Sequence, residues 1–124
     1  MADCPIRIEV ETAYLDHQSE PDDGRYAFAY SITIHNDGPI AAKLLSRHWI
    51  ITDADGGVQE VRGEGVVGEQ PLIRPGEYFH YSSGAIIPTP VGSMRGAYTM
   101  INASGQEFQA PIAAFTLARP GALH

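Results

Sequence analysis

Glycine and proline punctuate this chain from end to end. Thirteen glycines and nine prolines among 124 residues leave few stretches long enough to hold a long helix. What lies between the breakers alternates with period two. Ile6, Ile8, Val10, Thr12 and Tyr14 fall on one side of an extended chain, with Arg7, Glu9 and Glu11 on the other. Tyr26, Phe28, Tyr30, Ile32 and Ile34 form a second apolar face, opposite Ala27, Ala29, Ser31, Thr33 and His35. A sheet buried on one side demands that pattern. The connecting segments SEPDDG, HNDGP, DADGG, RPGE, TPVG and ASGQ carry residues that tolerate or impose tight turns. Strands are therefore predicted near 5–15, 26–35, 43–52, 58–62, 77–86, 94–102 and 106–117. Seven short strands at this spacing make an all-β, antiparallel β-sandwich. ITDADGGVQEV reads as a hairpin with Asp55, Gly56 and Gly57 at its tip. In AAKLLSRHW the apolar Leu44, Leu45 and Trp49 also fit a helical stripe; the β-branched run Ile50, Ile51, Thr52 tips the reading to strand.

The length fits one domain, residues 1–124, able to bury a core without disulfides or metals. A formal charge of −7 argues against nucleic acid as a partner, because phosphate binding needs Lys and Arg to displace counterions. The single cysteine, Cys4, forms no intrachain disulfide, and no apolar run is long enough for membrane insertion. The first residues lack a basic and then apolar leader, so a cytoplasmic location is expected.

RGEGVVGEQP places Gly63, Gly65 and Gly68 at the dinucleotide-binding spacing G-x-G-x-x-G. That turn needs a helix opening at the third glycine, whose N-terminus holds the pyrophosphate. Pro71 and Pro75 follow close behind Gly68, and no helical pattern intervenes. The dinucleotide reading fails, and no cofactor is expected. Two readings survive. The glycines let an all-β chain bulge or take positive φ, or successive N–H groups form a nest for a phosphate. Arg62, Arg47, His48 and Arg74 are near enough in sequence to supply countercharge.

Other constellations are sparser. Asp53, Asp55 and Glu64 occupy positions one, three and twelve of an EF-hand-like loop, but Gly57 and Val58 stand at positions five and six, so a hairpin tip is the better reading. The five histidines are scattered; His48 and His80 are weak metal candidates if folding brings them together. Ser82 and Ser83 lack a nucleophile elbow, and no catalytic signature emerges. In LIRPGEYFHY a Pro-Gly turn leads into an aromatic strand, so Tyr78 or Tyr81 is a candidate for a hydroxyl-locked tyrosine corner.

RYAFAYSITIHNDG, LLSRHWIITDADG, VQEVRGEGVVGEQP, IRPGEYFHYSSG and GSMRGAYTM closely resemble the bacterial ApaG proteins, over about residues 4 to 120. The family's most characteristic positions map to Ser46, Arg47, His48 and Trp49 and to Arg62 through Gln70. The resemblance implies an immunoglobulin-like or fibronectin type III-like sandwich. It also implies an association with cobalt resistance and cobalt or magnesium efflux. A protein-binding role follows from related domains in F-box proteins and in a DNA-polymerase-interacting protein. In the family the glycine motif, here Gly63, Gly65 and Gly68, has been proposed as a pyrophosphate or nucleotide site. The expectation is a non-enzymatic domain, monomer or homodimer, that binds a protein partner through Arg47, His48, Trp49 and the glycine loop. The alternatives are a phosphate ligand held by Gly63, Gly65, Gly68 and Arg62, or a divalent cation bound directly.

Overall fold

The structure, a computed structural model, describes residues 4–122. Its strands are β1 (Ile6–Tyr14), β2 (Tyr26–Asn36), β3 (Ala42–Asp53), β4 (Val58–Glu64), β5 (Leu72–Ile73), β6 (Tyr78–Ile87), β7 (Val91–Asn102) and β8 (Glu107–Ala118). Every pairing between them is antiparallel. One sheet runs β1–β2–β6; the other runs β4–β3–β7–β8, with β5 also on β3. The expected all-β sandwich forms, and each expected strand is present. β7 opens at Val91, three residues before the predicted start, and the two-residue β5 is too short to show a period.

AAKLLSRHW is strand, and its ambiguous pattern has a local cause. The register of β3 on β7 shifts between Leu44 and Ser46, a β-bulge at Leu45. A bulge inserts one residue and so reverses which side chains face inward. Leu44 points into the core before it, and Trp49 and Ile51 after it. Trp49 is the centre of that core. Its ring meets Tyr30, Phe115 and Tyr98 edge-on at 5.4, 5.8 and 6.3 Å, and Phe28, Ile32, Met94, Met100 and Leu117 are buried in the same cluster.

Two polar contacts pin the layers. Asn36, fully buried at the end of β2, donates from Nδ2 to the carbonyls of Ile40 and Ile73 at 2.9 and 2.8 Å, while its Oδ1 accepts from Gly38 N–H at 2.9 Å. The turn after β2 is thereby tied to β5. Between the sheets, the hydroxyls of Tyr81 on β6 and Tyr98 on β7 hydrogen-bond to each other. Tyr81 therefore does not make a tyrosine corner, since its hydroxyl meets a side chain rather than backbone, and Tyr78 is 66% exposed. The Asp53–Gly57 segment is the expected hairpin turn, with Asp53 Oδ1 accepting from the N–H groups of Asp55 and Gly57.

Burial pushes the Tyr81 phenol up to about 12, and it pushes Tyr98 upward as well, with Tyr81 adding to the effect. A phenol that ionises later when folded contributes stability that is complete below its ordinary range near pH ~10 and is lost as pH rises beyond it. Unfolding free energy should therefore fall as pH rises from about 10 toward 12. Tyr81→Phe should cost about 1–3 kcal/mol by leaving the Tyr98 hydroxyl buried alone, and the double Tyr81→Phe/Tyr98→Phe change should cost less than the two single changes added. Urea titrations of the four proteins check this; strictly additive losses would show that the hydroxyls do not depend on each other.

Candidate functional site

The glycine segment owes its shape to the bulge. Leu44 and Leu45 both turn a backbone group toward the free side of β3: Leu44 N–H donates to Pro71 O at 3.0 Å, and Leu45 O accepts from Gly65 N–H at 2.9 Å. The strand along that side must therefore break between Gly65 and Pro71. β4 and β5 are its two halves. Residues between them make an excursion that closes on itself through Val66 N–H to Glu69 O (2.8 Å) and Glu69 N–H to Val66 O (2.9 Å). Val67 and Gly68 at the tip both have positive φ, 44° and 81°, the signature of a two-residue type I′ turn. Val66 itself is fully buried and plugs the excursion into the core.

The other two glycines have separate reasons. Gly65 has φ of 62°, and a Cβ there would sit 2.2 Å from Glu69 O. Gly63 lies opposite Arg47 in the β3–β4 register, and a Cβ would come within 2.8 Å of three guanidinium atoms. Arg47 uses that space to donate from Nη1 to the carbonyls of Glu64 (3.1 Å) and Gly65 (2.9 Å). No helix follows Gly68, as expected. The N–H groups of Gly65, Val66 and Glu69 are all donated to protein carbonyls, so the geometry of the segment is accounted for without a ligand.

The residues of SRHW separate. Trp49 is 2% exposed and lies inside, away from any surface. Arg47 is a strut for the glycine segment. His48 projects from the opposite face of β3 and hydrogen-bonds Glu60 on β4 at 2.7 Å; Arg62 reaches the same carboxylate oxygen at 3.1 Å. These two partners, His48 first, hold the Glu60 carboxyl below its usual range. His80 lies on the outer face of the other sheet, where Nδ1 meets Thr33 Oγ1 at 2.9 Å. Folding thus sends His48 and His80 to opposite sides of the sandwich. Among the described residues no three His, Cys, Asp or Glu side chains converge in a metal-binding group.

Around His48 the outer face of the larger sheet forms a shallow groove of about 420 Å³, walled by Ser46, Arg62, Glu64, Thr99 and Gln109, with Arg47 and Gly63 also reaching it. Ser46 pairs with both Glu64 and Thr99, so this polar row crosses three strands at one level. Gln109 Nε2 donates to Thr99 Oγ1 at 2.8 Å and closes the row on β8. Gln109 also borders a second concavity of about 480 Å³ at the end of the sandwich, where Pro5, Pro39, Ile40, Ala42 and Phe108 present apolar surface and, among the described residues, no charged one lines it. Thr99, Gln109, Ile40 and Phe108 escaped sequence reasoning because they carry no motif and meet only through strand register.

An immunoglobulin-like or fibronectin type III-like antiparallel sandwich with a groove on its larger sheet is the class these features define. The chain belongs to the ApaG domain family, whose model matches residues 16–102. It is 62% identical to Protein ApaG of Thiobacillus denitrificans over 96% of this chain and 94% of the relative, and 57% identical to Protein ApaG of Stenotrophomonas maltophilia with the same coverage. A crystal structure of a putative ApaA protein from Bordetella pertussis superposes with a TM-score of 0.91 at 50% identity, covering 94% of each chain. No helix among the described residues is long and apolar enough to cross a membrane.

Arg47→Ala should lower stability by about 1–3 kcal/mol, because two carbonyls lose a charged donor. Gly65→Ala should cost at least as much, through positive φ and the blocked Cβ. His48→Ala, at the surface, should stay within about 0.5 kcal/mol. Thermal melts of the three variants decide; an Arg47→Ala protein as stable as the parent would remove the strut.

Proposed function

We propose that the chain is a non-enzymatic recognition domain that takes a protein partner along its groove and serves cobalt and magnesium homeostasis. The recognition half is carried by one observation: the polar row of His48, Arg62, Glu64 and Thr99 and the apolar hollow of Ile40 and Phe108 share Gln109 as a common border. An apolar pocket beside satisfied polar groups is the anatomy by which proteins seat a partner's anchoring side chain and fix its orientation. The homeostasis half rests on family resemblance. Of the expected interaction set, Arg47 and His48 both line the groove, Arg47 while also bracing the glycine segment, and Trp49 is internal.

A phosphate ligand at Gly63, Gly65, Gly68 and Arg62 fits less well. Three amides of the segment are committed inside the protein, and Glu60 already neutralises Arg62. Direct cation binding by His48 and His80 together would need ligands from opposite sides of the molecule.

The test is capture of partner from cell extract. Arg62→Glu and Thr99→Lys, both on the groove, should abolish recovery of the protein that the parent retains, while melting temperatures hold. Glu11→Lys, on the outer face of the other sheet, should leave recovery intact. Equal recovery by all four proteins would refute the groove. In a companion titration, millimolar pyrophosphate should leave the Gly65, Val66 and Glu69 amide resonances in place; concerted shifts there would move the reading to a phosphate binder.

A further inference from the structure

Each sheet of the sandwich has two edges, and among the described residues only one of the four long strands that form them is bare. The two-residue β5, which shares the β4 edge, is flanked by Pro71 and Arg74. β1 carries Arg7, Glu9 and Glu11; β4 carries Glu60, Arg62 and Glu64; β8 carries Glu107 and Pro111. Charges and prolines on edge strands are the usual means of discouraging a further strand from pairing there. β6, YFHYSSGAII, has neither. From Tyr78 to Met94 the chain contains no Asp, Glu, Lys, Arg at all.

The backbone phase of that edge follows from the bonds on its other side. Asn36 N–H donates to Glu77 O, continuing the β2–β6 register, so the odd-numbered residues of β6 bond to β2. Tyr78, His80, Ser82, Gly84 and Ile86 therefore turn their N–H and C=O groups to the open edge. A side-chain contact marks the same direction: Gln59 Nε2 reaches Ile86 O, at a long 3.5 Å. The large apolar side chains exposed on β6 are Tyr78 (66%) and Ile86 (48%), one at each end.

We propose that β6 pairs antiparallel with β6 of a second copy of this chain about a two-fold axis at Ser82. The edge is self-complementary in that register. Ser82 faces its own copy, His80 faces Gly84, and Tyr78 faces Ile86, so each exposed apolar side chain lies beside the other as an aromatic and β-branched cross-strand pair. Every residue brought opposite another is uncharged or, at His80, set against a glycine. The three-stranded sheets join into one of six strands, and the Gln59 contact to Ile86 O gives way to a ladder bond. This surface lies on the sheet opposite the groove and does not depend on the reading of the groove.

The test is mass in solution. Light scattering of the full chain from about 1 μM to about 1 mM should show monomer converting to dimer. Ser82→Lys sets two lysines against each other at the axis and should weaken the dimer at least about tenfold. The monomer loses only an exposed hydroxyl contact from Ser82 to Ser31, so it should melt within about 5 °C of its parent. With Cys4→Ser removing the free thiol, Ser82→Cys should cross-link its copy on oxidation, because opposite Cα atoms in a bonded pair stand about 5.5 Å apart, within disulfide reach. Ser83→Cys, which does not meet its own copy, should not. A chain monomeric at about 1 mM overturns the proposal, and so does a dimer that Ser82→Lys leaves intact or that Ser83→Cys links as readily as Ser82→Cys.

Discussion

Leu44 and Leu45 turn consecutive backbone groups to the same side of β3, and much of the molecule is arranged around that irregularity. A bulged strand presents its neighbour with a ladder that no regular strand can match. The neighbour here answers by leaving the sheet. It departs at Gly65, reverses at Val67 and Gly68, and returns in time for Pro71 to accept from Leu44. Leu45 O, the acceptor at the point of departure, is satisfied twice, by Gly65 N–H and by Gln70 Nε2, each at 2.9 Å. The bulge and the glycine excursion are two halves of one device, joined through Leu44 N–H and Leu45 O.

The same device decides which residues are available for function. Reversing the phase of β3 puts Trp49 at the centre of the core, Arg47 over Gly63, and His48 outside. Had β3 run without a bulge, the inward set following Leu44 would have been Ser46, His48 and Ile50, with Trp49 in water. So the two stretches that resemble the ApaG proteins most distinctively, Ser46–Trp49 and Arg62–Gln70, are bonded to each other in register and through Arg47. The two stretches fit each other: Gly63 makes room for Arg47, and Arg47 caps the carbonyls where the excursion begins.

How much of this could be read in the sequence depended on whether a feature was local. Tyr26 to Ile34 alternates without interruption, and β2 was visible at once because it is a regular strand with one buried face. AAKLLSRHW blurred into a helical pattern since a bulge breaks the period of two. The absence of a helix after Gly68 was legible from Pro71 and Pro75. The structural use of each glycine was not, because their partners Arg47 and Glu69 are set by register and by turn closure. Asn36 looked like an ordinary turn residue, and only the arrival of Ile73, 37 residues later, makes it a buried staple. The groove was least legible of all. Its walls come from β3, β4, β7 and β8, and nothing about Thr99 or Gln109 singles them out until those strands lie side by side.

The placement of the groove and of the bare edge has a joint consequence. The groove lies on the outer face of the larger sheet, and β6 closes the smaller one. A copy paired along β6 would add its strand away from Thr99 and Gln109, which sit on β7 and β8, while β8 packs against β1 at the other edge of the smaller sheet. The paired form would carry two grooves held apart at fixed geometry by a continuous six-stranded sheet. A partner offering its epitope twice would then be held by effective concentration as well as by contact, gaining about 10²-fold or more over one groove alone where the spacing matches. A partner offering it once would gain nothing. Shallow grooves give modest affinity in a single engagement, which makes the arrangement of copies, as much as the chemistry around His48, a determinant of what this domain retains.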